Sequence, residues 1–236
     1  MKKSIINLLL ILIVSTAFSQ QLKVGFESGF AFYNMKDLKS INSDLQNSLT
    51  FETKIVADYP PYLYYSPGLY VSWEKFNVGI HTTLNSTGSR ISSKDYSGQY
   101  GFDTRVFSFA PSIYVDALIV PLQNKLNLYF STEIGAIFSS LALDERLVLY
   151  DEVLIDESFD FYALNYFIEP GLKLDYQFND IFSAAFNMSY LVQFGDNAYE
   201  ANDIGTFYYK QNAIKPEWNS LRIGLALHLT IPRANN

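Results

Sequence analysis

The chain has 236 residues, of which 49% are hydrophobic, 17% aromatic and 17% charged, and its formal net charge is −7. The charged fraction is below the roughly 25% of typical soluble domains, and the acidic balance argues against a nucleic-acid partner, because affinity for phosphates depends on Lys and Arg. There is no cysteine, which excludes disulfides, thiolate metal sites, a thiol nucleophile and a lipidated cysteine anchor.

The N-terminus has the pattern of a secretory signal peptide. Two lysines precede the apolar stretch Ile5–Val14, and the small residues Ala17 and Ser19 follow it at the spacing of a signal-peptidase site. The apolar stretch is too short for a membrane anchor, which needs about 20 residues. We therefore predict that residues 1–19 are cleaved and that residues 20–236 form one exported domain.

Apolar side chains alternate with small or polar ones throughout this exported region. In the first segment, Leu22, Val24 and Phe26 alternate with Lys23 and Glu27. A period of two is typical of β-strands that have one apolar face. The same pattern predicts eight strands, at residues 22–32, 63–73, 76–84, 107–117, 126–138, 162–176, 182–194 and 221–231.

Short and long connections alternate between these strands. The short ones are residues 74–75, about 120–125 and 179–181. The long ones are about 34–61, 87–101, 140–160 and 195–217. Together with a second face that carries Gly, Ser, Asn and whole charges, this alternation predicts an all-β, eight-stranded, antiparallel up-and-down transmembrane β-barrel of the outer membrane, with apolar residues facing lipid and both termini in the periplasm. The alternative is a secreted, water-soluble β-protein.

The inward positions include ionisable side chains, which we expect to form a polar network in the lumen. The predicted network is Glu27, His81, Glu133, Glu169, Lys173, Arg222 and His228. Because an unpaired buried charge is very costly, these groups should pair with one another. Arg222 stands near the small residues Gly224 and Ala226, so we predict that it pairs with one of the three glutamates.

Two other interpretations of the histidines, catalysis and metal binding, are less well supported than a polar network in the lumen. A histidine with a serine and a carboxylate would suit a hydrolase, but inward groups do not reach a lipid substrate. Two separated histidines without cysteine do not predict a metal centre. We expect neither enzymatic activity nor a metal or cofactor.

Three strands carry a proline on their outward face, at Pro67, Pro111 and Pro170. Proline cannot donate to a strand ladder and a closed barrel has no edge, so a bulge or a missing hydrogen bond is expected beside each.

The third long connection is predicted to be a β-ribbon. Strand-like segments surround an acidic tip at Asp151–Glu152, so the fifth and sixth strands should form one hairpin that extends far beyond the 9 to 11 residues needed to cross a bilayer. The apolar positions of both arms are even-numbered, so they lie opposite one another only if the numbers of paired residues add to an even sum. A tip at Asp151–Glu152 gives an odd sum, so either the tip is odd-numbered or a bulge intervenes, for which Pro170 is the candidate. Its exposed apolar residues make the ribbon our candidate partner-binding element: Leu147, Leu149, Tyr150, Val153 and Ile155.

Two other loops bear on function, because a barrel of eight strands is filled by its own side chains and should not conduct. Met35, Leu38, Ile41, Leu45 and Leu49 have helical spacing in the first loop, which could cap the barrel or contact a partner. The last loop is rich in Tyr, Asn and Gly, a composition suited to recognition.

Several segments resemble the PorT-like outer-membrane β-barrel family of Gram-negative bacteria. They are residues 33–38, the repeated Pro-Gly-hydrophobic strands, and residues 86–90 with 95–98. The resemblance covers essentially all of the exported region, and it implies a structural fold with no catalytic positions and a role as accessory component of an envelope protein-secretion machine.

Three functions remain open from the sequence. The first is a non-enzymatic structural or binding module that acts through its extracellular loops, and the second is the secretion role implied by the resemblance. The third, a lipid-modifying enzyme, is the weakest. We expect a monomer that contacts outer-membrane lipid and an envelope or extracellular protein, and no nucleic acid.

Overall fold

The computed structural model describes residues 21–201 and 205–231. The predicted signal peptide, residues 1–19, lies outside the described residues. The elements are β1 (Gln21–Tyr33), α1 (Lys36–Ser48), β2 (Lys54–Asp58), β3 (Tyr62–Ser72), β4 (Phe76–Lys94), β5 (Gly98–Gln123), β6 (Leu126–Leu149), β7 (Glu152–Gln177), β8 (Phe182–Phe194), β9 (Glu200–Ala201), β10 (Gly205–Thr206), β11 (Tyr208–Tyr209), β12 (Asn212–Ala213) and β13 (Ser220–Ile231).

Eight long strands close into a ring. The order is β1, β3, β4, β5, β6, β7, β8 and β13, which pairs again with β1, and every pair is antiparallel. Among these eight strands, sequence neighbours pair throughout. The short strands lie outside the ring: β2 pairs with the edge of β4, β9 pairs with β7 and β10, and β11 pairs with β12. The predicted eight-stranded up-and-down barrel is confirmed.

The outward face forms the apolar belt that a transmembrane barrel presents to lipid. Leu225 and Leu227 are 68% and 65% exposed, and Phe26, Ile113 and Ile134 are about half exposed. In water such a continuous apolar surface would be unfavourable, whereas in a bilayer it is the required one. The side chains between them point inward and are mostly polar and buried, so the predicted phase of the strands is correct.

The barrel is much taller on one side than on the other. Strands β4 to β7 have 19, 26, 24 and 26 residues, whereas β1, β3, β8 and β13 have 13, 11, 13 and 12. A bilayer needs only about 9 to 11 residues of tilted strand. The upper parts of the four long strands therefore project beyond the lipid as a sheet, which we call the projecting sheet (residues 88–94, 98–105, 142–149 and 152–161).

One predicted loop is in fact part of this sheet. Residues 87–101 were expected to be irregular, but β4 and β5 pair without a break up to Lys94 and Gln99. The turn is short, and the Asp95 carboxylate accepts hydrogen bonds from the backbone N–H groups of Ser97 and Gly98 at 2.8 and 3.0 Å. The Ser- and Gly-rich composition is typical of loops, but pairing of β5 with β6 extends the strands.

The hairpin of β6 and β7 is confirmed, but the bulge that sets its register is at a different place from the one predicted. Its tip is Tyr150–Asp151, whose φ angles of 50° and 65° are those of a two-residue type I′ turn. The register shifts once, near the tip, where Leu154 is the extra residue. The predicted bulge at Pro170 is wrong, because Pro170 lies opposite Thr132 in unbroken register. The bulge beside the tip already brings the even-numbered apolar positions of the two strands opposite one another.

Each outward proline interrupts pairing with the following strand. Pairing of β3 with β4 stops between Tyr65 and Gly68, pairing of β5 with β6 stops between Phe109 and Ser112, and pairing of β7 with β8 stops between Ile168 and Gly171. The register is the same on both sides of every gap. Of the two predicted alternatives, a bulge or a missing hydrogen bond, the structure therefore shows the missing hydrogen bond at each proline.

An apolar cluster closes the loop end of the barrel. Met35 and Leu38 at the start of α1 are buried together with Tyr199 and Trp218 of the last loop. The Trp218 ring packs edge-on against Tyr33 at 5.1 Å, and its Nε1 donates to the Ser139 hydroxyl at 2.8 Å. α1 therefore caps the barrel, as the first of the two interpretations expected.

Within the described residues, no helix is long and apolar enough to cross a membrane.

Candidate functional site

The uppermost polar layer of the lumen is organised around Arg222. Its Nη1 donates to the Glu169 carboxylate at 2.7 Å, and its Nη2 donates to the Asn85 side-chain oxygen at 2.9 Å. Glu169 also accepts a hydrogen bond from the Ser189 hydroxyl at 2.6 Å. The predicted pairing of Arg222 with an inward glutamate is thus present.

A second layer lies below it. His81 Nδ1 contacts the Glu133 carboxylate at 2.8 Å, and the Ser112 hydroxyl donates to the other oxygen of that carboxylate at 2.7 Å. The other imidazole nitrogen of His81 contacts the Tyr70 hydroxyl. Glu27 is satisfied separately, by the Tyr64 hydroxyl and the Asn187 amide.

A third layer lies nearest the end with the short turns. Lys173 Nζ is 2.8 Å from the Asp116 carboxylate, and the pair is almost fully buried. His228 Nδ1 lies 3.6 Å from the Asp175 carboxylate and 3.5 Å from the Ser183 hydroxyl. All seven residues of the predicted lumen network therefore face the interior, but only Arg222 with Glu169 and His81 with Glu133 pair within the predicted set. Lys173 and His228 contact two other acidic residues, Asp116 and Asp175, and Glu27 contacts neutral side chains.

These contacts do not form a hydrolytic triad. Ser183 and Asp175 converge on the same nitrogen of His228, and the Ser183 hydroxyl itself donates to Asp175 at 3.1 Å. A general base needs the serine on one imidazole nitrogen and the carboxylate on the other. The part of the chain that the structure describes also contains no group of three or more acidic or histidine side chains arranged to hold a metal ion. The lumen is therefore a polar core in which most buried groups are hydrogen-bonded, although Arg222 Nε and Asn187 Oδ1 have no partner among the described residues.

The outer face of the projecting sheet is charged. Arg90 forms a bidentate ion pair with the Asp103 carboxylate, with both hydrogen bonds at 2.6 Å, and Arg105 forms an ion pair with Asp144 at 2.7 Å. The Ser158 hydroxyl, at 2.7 Å, and the Arg105 guanidinium together lower the pKa of Asp144. On β5, Arg105 is the next outward position above the exposed Phe107. The lipid-facing belt therefore ends at the level of Phe107, and the sheet above this level is surrounded by water.

The inner face of the sheet is largely apolar and packs against the first loop. The Tyr100 ring lies 5.4 Å from that of Phe51, and its hydroxyl donates to Glu145 at 3.0 Å. Burial and the neighbouring Glu145 charge raise the pKa of Tyr100. Sequence reasoning missed this face because the partners come from loops distant in the chain.

The predicted partner-binding residues occupy the top of the sheet. Leu147, Leu149 and Ile155 are half-buried, whereas Tyr150 and Val153 are 79% and 49% exposed. The predicted two-stranded ribbon is in fact part of a wider sheet, because Leu147 and Leu149 also pair with β5. The exposed apolar surface is therefore smaller than the sequence suggested.

One long edge of the sheet is free. The outer side of β7 pairs with β8 from Tyr166 downward and with β9 only at Tyr162. Among the described residues no strand pairs with this side between 152 and 161, so its backbone N–H and C=O groups have no partner strand there. That segment contains four acidic residues, Glu152, Asp156, Glu157 and Asp160, and no basic one. The sequence signal for this edge was the predicted long hairpin of the fifth and sixth strands, whose sixth strand extends beyond the predicted seventh strand, 182–194.

Comparison with known proteins supports the fold. No family model matches the chain, and no curated protein matches it in sequence. The chain is similar to the crystal structure of a major outer membrane protein from Thermus thermophilus, with a TM-score of 0.50, 9% identity, and coverage of 90% of this chain and 99% of that one.

Two further structures match less well. Ail, the attachment invasion locus protein of Yersinia pestis, gives a TM-score of 0.34 at 8% identity, covering 89% of this chain and 95% of that one. Neisserial surface protein A (NspA) gives 0.36 at 9% identity, covering 90% and 96%. The Thermus match carries the comparison, and at its low identity it shows the fold of an outer-membrane β-barrel.

Proposed function

We propose that this protein is a non-enzymatic outer-membrane β-barrel that binds a protein partner outside the membrane through its projecting sheet. In this arrangement both termini lie in the periplasm and the long strands reach outward. The observation that carries the proposal is the free edge of β7, residues 152–161, which is held above the lipid by a wall of four strands.

A free strand edge is a template for another strand. An extended segment that pairs with β7 would satisfy its N–H and C=O groups, which is the mode called β-strand addition. Edges that should remain unpaired usually carry charges, and this one carries Asp156 and Asp160. Like charges repel a second copy of the same acidic edge, but they attract a basic segment. The partner is therefore expected to offer an extended, Lys- or Arg-rich segment.

Cross-linking on intact cells tests this proposal. A photoreactive side chain at Ser158, on the free edge, should capture one protein, and the same group at the lipid-facing Phe186 should not. Deleting residues 147–155 should leave the barrel folded and abolish capture. Capture that is unchanged by the deletion would remove the sheet from the function.

A charge-reversal pair sharpens the test. The double variant Asp156→Lys/Asp160→Lys should lose capture, because a basic segment would then be repelled. The matched control Glu74→Lys/Asp180→Lys makes the same change in charge at the short turns on the opposite end and should leave capture intact. Equal capture by both variants would contradict the assignment of a basic partner.

The membrane assignment has its own experiment. A closed ladder without free edges in the bilayer resists unfolding by detergent, so the unboiled protein should migrate faster on a gel than the boiled protein. Recovery in the soluble fraction without detergent would contradict it.

A role within a protein-secretion machine, which the PorT-like resemblance implies, is the finer alternative. It rests on the sequence segments alone, and a secretion defect on gene deletion is the result that would favour it. The lipid-modifying enzyme is the least supported alternative, because both histidines are buried in the lumen away from lipid.

A further inference from the structure

A cavity of about 700 Å³ lies at the loop end, between α1, the inner face of the projecting sheet and the last loop. Its walls are mainly aromatic and aliphatic, and include Leu45, Phe102, Leu143, Phe159, Phe161 and Phe207. This size and lining are those of small-molecule sites, which typically enclose about 300–1,000 Å³. The cavity adjoins the β7 edge where the partner is proposed to bind, because Phe159 and Phe161 of that segment line it; the ligand would contact their side chains, whereas the partner would pair with the backbone.

The walls are held in place by contacts between distant segments. The rings of Phe161 and Phe207 stack with their centroids 4.9 Å apart, which fixes the last loop against β7. Lys210 and Asp44 form an ion pair at 2.6 Å, which joins the same loop to α1. A ligand would therefore meet a formed site and would not have to order three loops, which lowers the entropic cost of binding.

The charged residues that line the cavity are two acids and one base. Asp44, Glu145 and Lys210 line it, and Lys210 is already paired with Asp44. Glu157 lies directly opposite Glu145 across the β6–β7 ladder, on the same face of β7 as Phe159. The Tyr100 hydroxyl is the one described hydrogen-bond donor to Glu145. Two carboxylates that face each other across a ladder repel, and a bound cation would relieve that repulsion.

We propose that this cavity binds a small organic cation with an apolar body. The ammonium group lies between Glu145 and Glu157, and the hydrophobic part fills the space lined by Leu45, Phe102 and Phe159. The faces of the aromatic rings contribute additional attraction for a cation. An anionic ligand of the same shape is excluded by the two glutamates, and a neutral one gains only the apolar contacts.

Calorimetry on the barrel reconstituted in zwitterionic lipid nanodiscs tests this proposal with three probes of equal length: phenylbutylammonium, phenylbutanol and phenylbutyrate. The ammonium probe should bind most tightly and the carboxylate probe should not bind. The double variant Glu145→Gln/Glu157→Gln should weaken the ammonium probe by at least about tenfold, the loss of one charge-assisted hydrogen bond. Affinity for the alcohol should remain unchanged.

Two further variants complete the test. Leu45→Trp should fill the cavity and abolish binding of every probe, with gel mobility of the unboiled protein used to verify folding. The control Glu74→Gln/Asp180→Gln removes two carboxylates at the opposite end and should leave binding intact. Absence of ammonium binding, equal affinity for the alcohol, or an unchanged affinity in the Glu145→Gln/Glu157→Gln variant would each overturn the proposal.

Discussion

Replacing Arg222 tests whether charge pairing in the lumen holds the barrel together. Arg222 and Glu169 have only 2% and 7% of their side chains exposed and lie 2.7 Å apart. Arg222→Met keeps most of the apolar length but leaves the Glu169 carboxylate with the Ser189 hydroxyl alone. Removing one partner of a buried ion pair typically costs about 3–5 kcal/mol, because the remaining charge stays desolvated. We expect a loss of that size in the free energy of unfolding.

A double-mutant cycle separates this effect from lost packing. The double variant Arg222→Met/Glu169→Leu removes both charges and should recover about 2 kcal/mol of the loss, since a buried pair contributes little beyond an apolar replacement. Arg222→Lys should be intermediate, because an ammonium cannot hold both Glu169 and Asn85 with a planar fork. Urea titration of the barrel in lipid vesicles measures the free energy of unfolding of the wild type, Arg222→Met, Glu169→Leu and the double variant, which complete the cycle, and of Arg222→Lys. A double variant as unstable as Arg222→Met, or less stable, would refute the reasoning.

Three other outcomes are expected. Gly29→Ala should cost about 1–3 kcal/mol in the same titration, because its Cβ would lie 2.1 Å from a backbone oxygen of β13, whereas Gly101→Ala, with nothing within 4 Å, should be neutral; equal effects would contradict the clash. The lowered pKa of Asp144 means that its contacts stabilise the sheet fully above its ordinary pKa of 3.8 and are lost as the pH falls through the lowered value. The ratio of the pepsin cleavage rates of the wild type and Asp144→Asn, both measured at the same pH, should therefore rise as the pH falls below 3.8, and a constant ratio would contradict this. Replacing the tip by Tyr150→Asn/Asp151→Gly should slow proteolysis there, because both positions have positive φ; faster cleavage would argue against the type I′ turn.

The barrel was predictable because its strongest signal is local. Alternation of side chains within each strand fixes which residues face lipid, and that phase alone places Arg222 and Glu169 in the lumen. The choice among three glutamates was not predictable. It depends on how far along the barrel axis each glutamate lies from Arg222. Glu27 is on β1, the strand adjacent to β13, but its carboxylate accepts hydrogen bonds from Tyr64 and Asn187 instead.

The projecting sheet was only half predictable, since its extent is set by partners far away in the sequence. The acidic hairpin of β6 and β7 could be recognised from its length and strand-like composition. The extension of β4 and β5 to Lys94 and Gly98 could not, because Ser- and Gly-rich segments become strands here only by pairing with a neighbour. The cavity beneath the sheet requires α1 and the last loop to meet, as Asp44 and Lys210 do, and no local pattern indicates such a contact.

The three proline gaps divide the barrel wall into blocks. Pairing is uninterrupted within β8–β13–β1–β3 and within β4–β5, and within β6–β7 it shifts only at the bulge beside the tip. The gaps at Pro67, Pro111 and Pro170 fall at the three junctions between these blocks. Fewer hydrogen bonds resist opening at a junction than inside a block, so amide exchange should begin at the junctions. Each of the two long hairpins, β4–β5 and β6–β7, is thereby paired without a proline gap from its tip in water to the short turns on the far side of the bilayer.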